Sequence, residues 1–252
     1  MEIALNVNGL MIESFFADEE IEQLHLPLLR FLVEKQRQKG GRLVVFLAAP
    51  PGCGKSTLTA FWQYLSVQHP DLLALQTLPM DGFHHTNRWL EERGLRGKKG
   101  APETFHREQL ESALGDLHKP ISLWPTYDRV LHDPVIDAIE VTAPIVIVEG
   151  NWLLLDEPGW CELAHYSDLT LFIQAAPQQL QARLVERKIR GGLSLEQANA
   201  FYLQTDGPNV ERVLQHSLPA TITLAWDNGG LRCKAGSFSL SECIQGITNA
   251  SN

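Results

Sequence analysis

The sequence predicts an α/β protein: a three-layer α/β/α arrangement around a mainly parallel sheet, with an N-terminal β-hairpin and a short C-terminal β-rich tail. Three observations carry this expectation. Branched apolar runs in RLVVFLAAP (42–50), PIVIVEGNWLLL (144–155) and DLTLFIQ (168–174) suit strands buried on both faces, as parallel strands are. Segments of helical periodicity alternate with them. A glycine-bearing loop, APPGCGKST (49–57), joins the first of these strands to a helix with Leu58, Phe61, Trp62 and Leu65 at helical spacing.

The remaining elements follow in chain order. Short apolar runs at 2–7 and 10–16 flank Asn8-Gly9, a dipeptide that favours the positive φ angles of a tight hairpin turn. A helix follows, capped by Asp18, with Ile21, Leu24, Leu28, Leu29 and Leu32 on one face and a kink expected at Pro27. A strand is expected at 72–79, an irregular basic insertion at 86–105 and a helix at 106–117. Further helices are expected at 177–190 and 194–204, then a strand at TITLAW and a short SFSL segment. The predicted organisation is one domain over 1–252. Its core covers about 42–215, with a hairpin and helix at 1–40, a lid at about 183–205 and a tail at 216–252.

Composition narrows the function classes. Of 252 residues, 44% are hydrophobic and 20% charged, ordinary values for a globular chain. The net charge of −9 argues against general binding of nucleic acid or anionic membrane and favours a small-molecule partner. The N-terminus lacks the pattern of a secretory signal, and no apolar run reaches the length of a membrane span. Cys53, Cys161, Cys233 and Cys243 show no metal-type spacing, so a reduced, cytoplasmic setting is expected. The chain is compatible with a homodimer.

The loop carries the most specific chemistry. Gly54, Lys55 and Ser56 match the end of the phosphate-loop pattern G-x-x-x-x-G-K-[ST], while Ala49 replaces its first glycine. Backbone N–H groups in such a loop, together with the N-terminus of the next helix, cradle a β-phosphate. Lys55 would reach the β- and γ-phosphates, and the Ser56 hydroxyl would ligate Mg²⁺. The expected nucleotide-binding residues are Pro51, Gly52, Cys53, Gly54, Lys55, Ser56 and Thr57. Cys53 reads either as a space-filling side chain or as a thiol whose alkylation blocks nucleotide binding.

Other candidates fall at strand ends. Glu149 closes an apolar strand and suits a second Mg²⁺ position. Asp81, in MDGFHHTN (80–87), follows the strand after the loop helix, where ligands of an open α/β sheet bind. A kinase needs a carboxylate there to accept an alcohol's proton. His84 is a candidate hydrogen-bond partner of that acceptor, and His85 reads as structural. Arg183, Arg187 and Arg190 share one helical face before the flexible GGLS. They read either as a lid over a transferring phosphoryl group or as a solvated face paired with acids such as Glu186. Tyr127, Asp128, Arg129 and His132 form a dense polar cluster that reads equally as a salt-bridged surface turn.

Taken together, GCGKST, MDGFHH, KKGAPETF, PTYDRVLH, IVIVEGNWLLL and the arginine helix resemble the uridine kinase, phosphoribulokinase and bacterial pantothenate kinase branch of the P-loop NTPase fold, and its YggC-like members in particular. The resemblance spans roughly 42–215. It implies ATP and Mg²⁺ as cofactors, Asp81 as base, Lys55, Arg183 and Arg187 at the phosphates, and Ser56 and Glu149 at the metal. It also implies acceptor contacts from His84, Tyr127 and His132. Arg129 and the basic segment Arg93–Lys99 depart from a uridine kinase and would suit a carboxylate, a sugar or a phosphorylated acceptor. The expected activity is transfer of a phosphoryl group to a hydroxyl of a nucleoside, a pantothenate-like acid or a sugar. The alternative is a nucleotide-binding switch, or slow ATPase, with no acceptor.

Overall fold

A computed structural model of the chain describes residues 1–7, 9–128, 131–227 and 230–234. Strands β1 (Glu2–Val7) and β2 (Leu10–Phe15) pair antiparallel next to Gly9, whose φ of 83° lies in the left-handed region. Asn8, the other half of the expected turn, falls outside the described residues. Helix α1 (Asp18–Glu20) passes through a π turn at Ile21–His25 into α2 (Leu26–Lys39). Asp18 does not cap it: Ala17 holds the cap position, and Asp18 is the first helical residue. The disturbance expected from Pro27 takes the form of that widened turn just before it, because proline has no N–H for the regular ladder.

The central sheet begins with β3 (Leu43–Ala48), buried throughout, and α3 (Lys55–Gln68) follows the glycine loop. Strand β4 (Leu75–Pro79) starts three residues later than the expected 72 and ends in a 3-10 turn at Met80–Phe83. The 86–105 insertion is more regular than its composition implies. It holds α4 (Asn87–Glu92) and 3-10 turns at Arg96–Lys98 and Pro102–Thr104, before α5 (Arg107–Asp116). An unexpected antiparallel hairpin, β5 (Ser122–Asp128) and β6 (Asp133–Val141), follows. Then come β7 (Ile145–Gly150), β8 (Leu169–Gln174) and α6 (Pro177–Arg190). Helix α7 (Leu195–Phe201), a π turn at Tyr202–Asp206 and α8 (Gly207–Gln215) form one helical run, extending past the expected end at 204. Strands β9 (Ile222–Asp227) and β10 (Gly230–Cys233) end the described chain, and SFSL lies beyond it.

The six strands order as β10-β9-β8-β3-β7-β4, all parallel except the β10–β9 pair. Strand alternation divides the core in two. Val45, Leu47, Ile147, Leu171 and Ile173 face α2, α3 and α6, whereas Val44, Phe46, Val146 and Val148 face α5, Trp124 and Trp152. This is the expected three-layer fold with its mainly parallel sheet. From β3 the chain crosses to β4 on one side, and β8 later fills the other side. The first loop therefore opens at a switch point, beyond the carboxyl ends of the strands. No helix among the described residues is long and apolar enough to cross a membrane.

Candidate active site

The phosphate loop has the backbone its sequence requires. Gly52 and Gly54 have φ of 84° and 81°, and Gly54 opens α3. Ala49 is fully buried at the end of β3 and is not among the positive-φ residues, so its methyl group is compatible with the loop. Glu149 lies in register with Leu47 of β3 and Pro79 of β4, and its side chain is almost entirely buried. A buried carboxylate needs partners. Ser56 Oγ donates to Glu149 Oε1 at 2.7 Å, and Lys55 Nζ stands 4.0 Å from Oε2. A hydroxyl and one carboxylate, side by side beneath a phosphate cradle, fit Mg²⁺, which takes few protein oxygens and completes its shell with phosphate and water.

Asp81 sits in the turn that closes β4, one strand beyond β7 with its Glu149 and two beyond β3, about 10 Å across the sheet from the latter. Two glycines hold this turn in a narrow gap. A Cβ on Gly150 would stand 2.6 Å from Met80 Cβ and Sδ, and one on Gly82 would stand 2.5 Å from the Pro125 carbonyl oxygen. The turn is thus clamped between the tip of β7 and strand β5. Trp124 Nε1 donates to the Pro79 carbonyl at 3.0 Å and fixes the same junction.

His84 Nδ1 lies 2.8 Å from the Asp81 carbonyl oxygen. A carbonyl only accepts, so Nδ1 carries the proton and Nε2 keeps its lone pair. Burial lowers the His84 pKa, with partial opposition from Asp81, which favours the neutral ring. Its ring packs 3.8 Å from Phe105 and 5.2 Å from Tyr127. The KKGAPETF segment completes this wall, with His85 N–H donating to the Thr104 carbonyl and His106 N–H to the Phe83 carbonyl. His85 itself stacks on Trp89 at 3.6 Å. His132 is exposed, with φ of 55° at the hairpin turn, and it contributes its carbonyl to Lys99 at 2.7 Å. Arg129 falls outside the described residues.

The arginine helix separates by position. The Arg183 guanidinium lies 5.0 Å from the Trp226 ring, whose Nε1 donates to the Cys53 carbonyl at 2.9 Å, so Arg183 stands beside the phosphate loop. Arg187 acts electrostatically on buried Asp206, whose pKa burial raises and Arg187 and Lys188 pull back down. Arg190 instead pairs with Glu186 at 2.5 Å, as a solvated basic face would. Cys53 is packed beneath the loop with 1% exposure, and burial pushes its thiol up to about 12. This contradicts the reactive-thiol reading: the helix N-terminus and nearby cations do not outweigh desolvation.

With this geometry in view, three similarities bear on the chain. The uncharacterised protein YggC of Escherichia coli K12 is 54% identical over 231 residues, covering 91% of this chain and 98% of YggC. The chain belongs to the YggC family. The candidate uridine kinase C227.14 of Schizosaccharomyces pombe is 31% identical over 170 residues, 64% of this chain and 72% of that protein. Among solved structures, a candidate fructose transport system kinase from Silicibacter sp. TM1040 superposes with a TM-score of 0.73 at 36% identity, over 80% of this chain and 98% of that one. No protein-family model matches the chain. The motif resemblance and the P-loop kinase fold are thereby borne out.

Of the residues of this YggC-family chain that frame the site, Trp226 and Arg212 escaped the sequence reading, and Lys99 was legible only as part of the basic segment Arg93–Lys99. Lys99 turns into the wall beside Tyr127, its Nζ 5.1 Å from the ring centroid. Trp226 links the loop to α6. Arg212 on α8 reaches Glu157 at 2.7 and 2.5 Å and Glu103 at 2.8 Å, tying the helical run to the KKGAPETF segment. Nothing in the sequence separates one lysine from the rest of its basic stretch, and a tryptophan in a tail strand carries no signal of this kind. Only DGF and EGN, each placing a glycine beside an acid, could have hinted at the clamped turn.

Proposed function

We propose that the protein is a Mg·ATP-dependent kinase that transfers the γ-phosphoryl group to a hydroxyl of a small metabolite. The observation that carries this reading is the pairing of Ser56 with buried Glu149 beneath the loop, on the strand next to the one that the clamped Asp81 turn closes. The loop N–H groups and Lys55 bind the triphosphate. Ser56 and Glu149 would hold Mg²⁺, which supplies charge neutralisation along the β- and γ-phosphate oxygens. His84, neutral and with a free lone pair at Nε2, orients the acceptor hydroxyl. The hydroxyl oxygen attacks the γ-phosphorus in line as its proton passes to the Asp81 carboxylate. The bond from that phosphorus to the β-bridging oxygen breaks, and ADP leaves. Arg183, beside the loop, and Arg187, further along α6, face charge on the transferring group when the lid helices close.

Similarity to a candidate uridine kinase and a candidate sugar-transport kinase supports an alcohol acceptor and leaves nucleoside, pantothenate-like acid and sugar as candidate classes. The test is ADP release with Mg·ATP across an acceptor panel, with Asp81→Asn as control. Turnover is expected to fall by about 10²–10⁴ in the variant, the range for losing a positioned base, while ATP still binds. Wild-type turnover in Asp81→Asn removes Asp81 from the mechanism. Phosphate release that no acceptor stimulates points to an ATPase or switch.

A further inference from the structure

The basic segment of the insertion holds four cations, and their contacts sort them. Arg93 stacks over Trp89 at 4.1 Å and lies 3.8 Å from Glu92, Arg96 lies 3.7 Å from Glu91, and Lys98 is exposed. Lys99 is half-buried and turns inward. Its Nζ donates to Asn87 Oδ1 at 2.5 Å and to the His132 carbonyl at 2.7 Å. It lies 5.1 Å from the Tyr127 ring centroid, and the His84 ring lies 5.2 Å from the same centroid. The cation and the histidine that is bonded to Asp81 therefore both lie against one aromatic ring.

Both of these hydrogen-bond partners are neutral carbonyl oxygens, and an ammonium has three N–H bonds to give. Asp133 and Asp81 supply counter-charge at longer range, and burial lowers the Lys99 pKa. A cation withdrawn from water and bonded only to dipoles is poorly compensated for its desolvation and attracts an anion. His84 and Asp81 suit a hydroxyl, and Lys99 suits an anionic group on the same small molecule.

We infer that Lys99 is a specificity residue, and that the acceptor is a hydroxyl compound bearing a carboxylate or phosphate bound at its ammonium. This rests on the kinase reading above. Carboxylate and phosphate share the chemistry, and matched substrates separate them. ADP release from the full chain is measured with glycerol, glycerate and glycerol 3-phosphate, with ribose, ribonate and ribose 5-phosphate, and with glucose, gluconate and glucose 6-phosphate.

In at least one set, an anionic member should exceed the neutral one in kcat/KM by tenfold or more, and the preferred anion names the group. Lys99→Met should shrink that ratio by about 10- to 100-fold, the worth of a charge-assisted hydrogen bond. The loss should fall on the KM for the acceptor and not on the KM for ATP. Lys99→Arg should restore part of it, and thermal melting reports whether each variant is folded. Turnover that favours the neutral members overturns the inference and leaves the kinase reading standing. So does a Lys99→Met variant that slows all members of a set equally, which makes Lys99 a strap between α4 and the hairpin. ATP binding without turnover of any compound in the panel removes both.

Discussion

Substituting Gly82 by alanine tests whether the turn bearing Asp81 is held in place by close packing. The added methyl would stand 2.5 Å from the Pro125 oxygen, 2.6 Å from its carbonyl carbon and 2.9 Å from the Thr126 nitrogen. All three are backbone atoms, so no side chain can rotate away. To reach an ordinary contact of 3.4 Å, turn and strand must part by about 0.9 Å. Strand β5 resists, because Trp124 beside it is fully buried and bonded to the Pro79 carbonyl. The turn yields and takes Asp81 with it. Overpacking of this kind costs about 1–3 kcal/mol, and at this chain length about 2–4 °C of melting temperature goes with each kcal/mol. A displacement near 1 Å at a reacting group lowers turnover by about 10². The assays are ADP release with the best acceptor, ATP affinity by calorimetry and thermal melting. The expected result is a fall in Tm of about 2–12 °C, a fall in kcat of about 100-fold and unchanged ATP affinity, since the phosphate loop lies on β3 and α3. A Gly82→Ala protein with wild-type melting and turnover would refute the clamped turn.

Two further outcomes follow from burial and charge. With its thiol pushed up to about 12, Cys53 is protonated at pH 8, so iodoacetamide should leave it unmodified in the folded protein and alkylate it after denaturation. Peptide mass spectrometry reads this, and equal labelling in both states would restore a reactive loop thiol. The Arg212 hydrogen bond is the largest influence on Glu157 and lowers its pKa from the ordinary 4.5. A depressed carboxylate contributes stability above its unfolded pKa and loses it as pH falls through the folded value. Arg212→Ala should therefore melt below wild type at pH 7, with the gap narrowing below about pH 4.5; a gap of constant size would show that the pair adds nothing.

Much of this protein could be read from one dimension, for local reasons. A parallel strand covered on both faces must be apolar at nearly every position, so LVVFLA and IVIVEG declared themselves. A loop that wraps a phosphate needs glycine where φ is positive, and Gly52 and Gly54 are there. Glu149 stood out because a carboxylate ending a buried strand requires a partner, and Ser56 supplies it. The β5–β6 hairpin was missed because its residues alternate weakly and mostly face solvent. For Arg190 and Cys53 the sequence left two readings open, because spacing cannot tell a charge facing the site from one paired on the surface, nor a shielded thiol from an open one; the structure favours the pair with Glu186 and the space-filling thiol.

The sequence alone thus determined the layered architecture, the phosphate cradle and the acids at the strand tips, since each depends on a residue's own conformational or solvation requirements. Tertiary structure alone decided that Gly82 and Gly150 clamp the Asp81 turn, that Lys99 leaves its basic stretch to face Tyr127, and that Trp226 joins the loop to α6. These are contacts between segments distant along the chain. They exist only once the sheet has set its strand order and brought those segments within a few ångströms of one another.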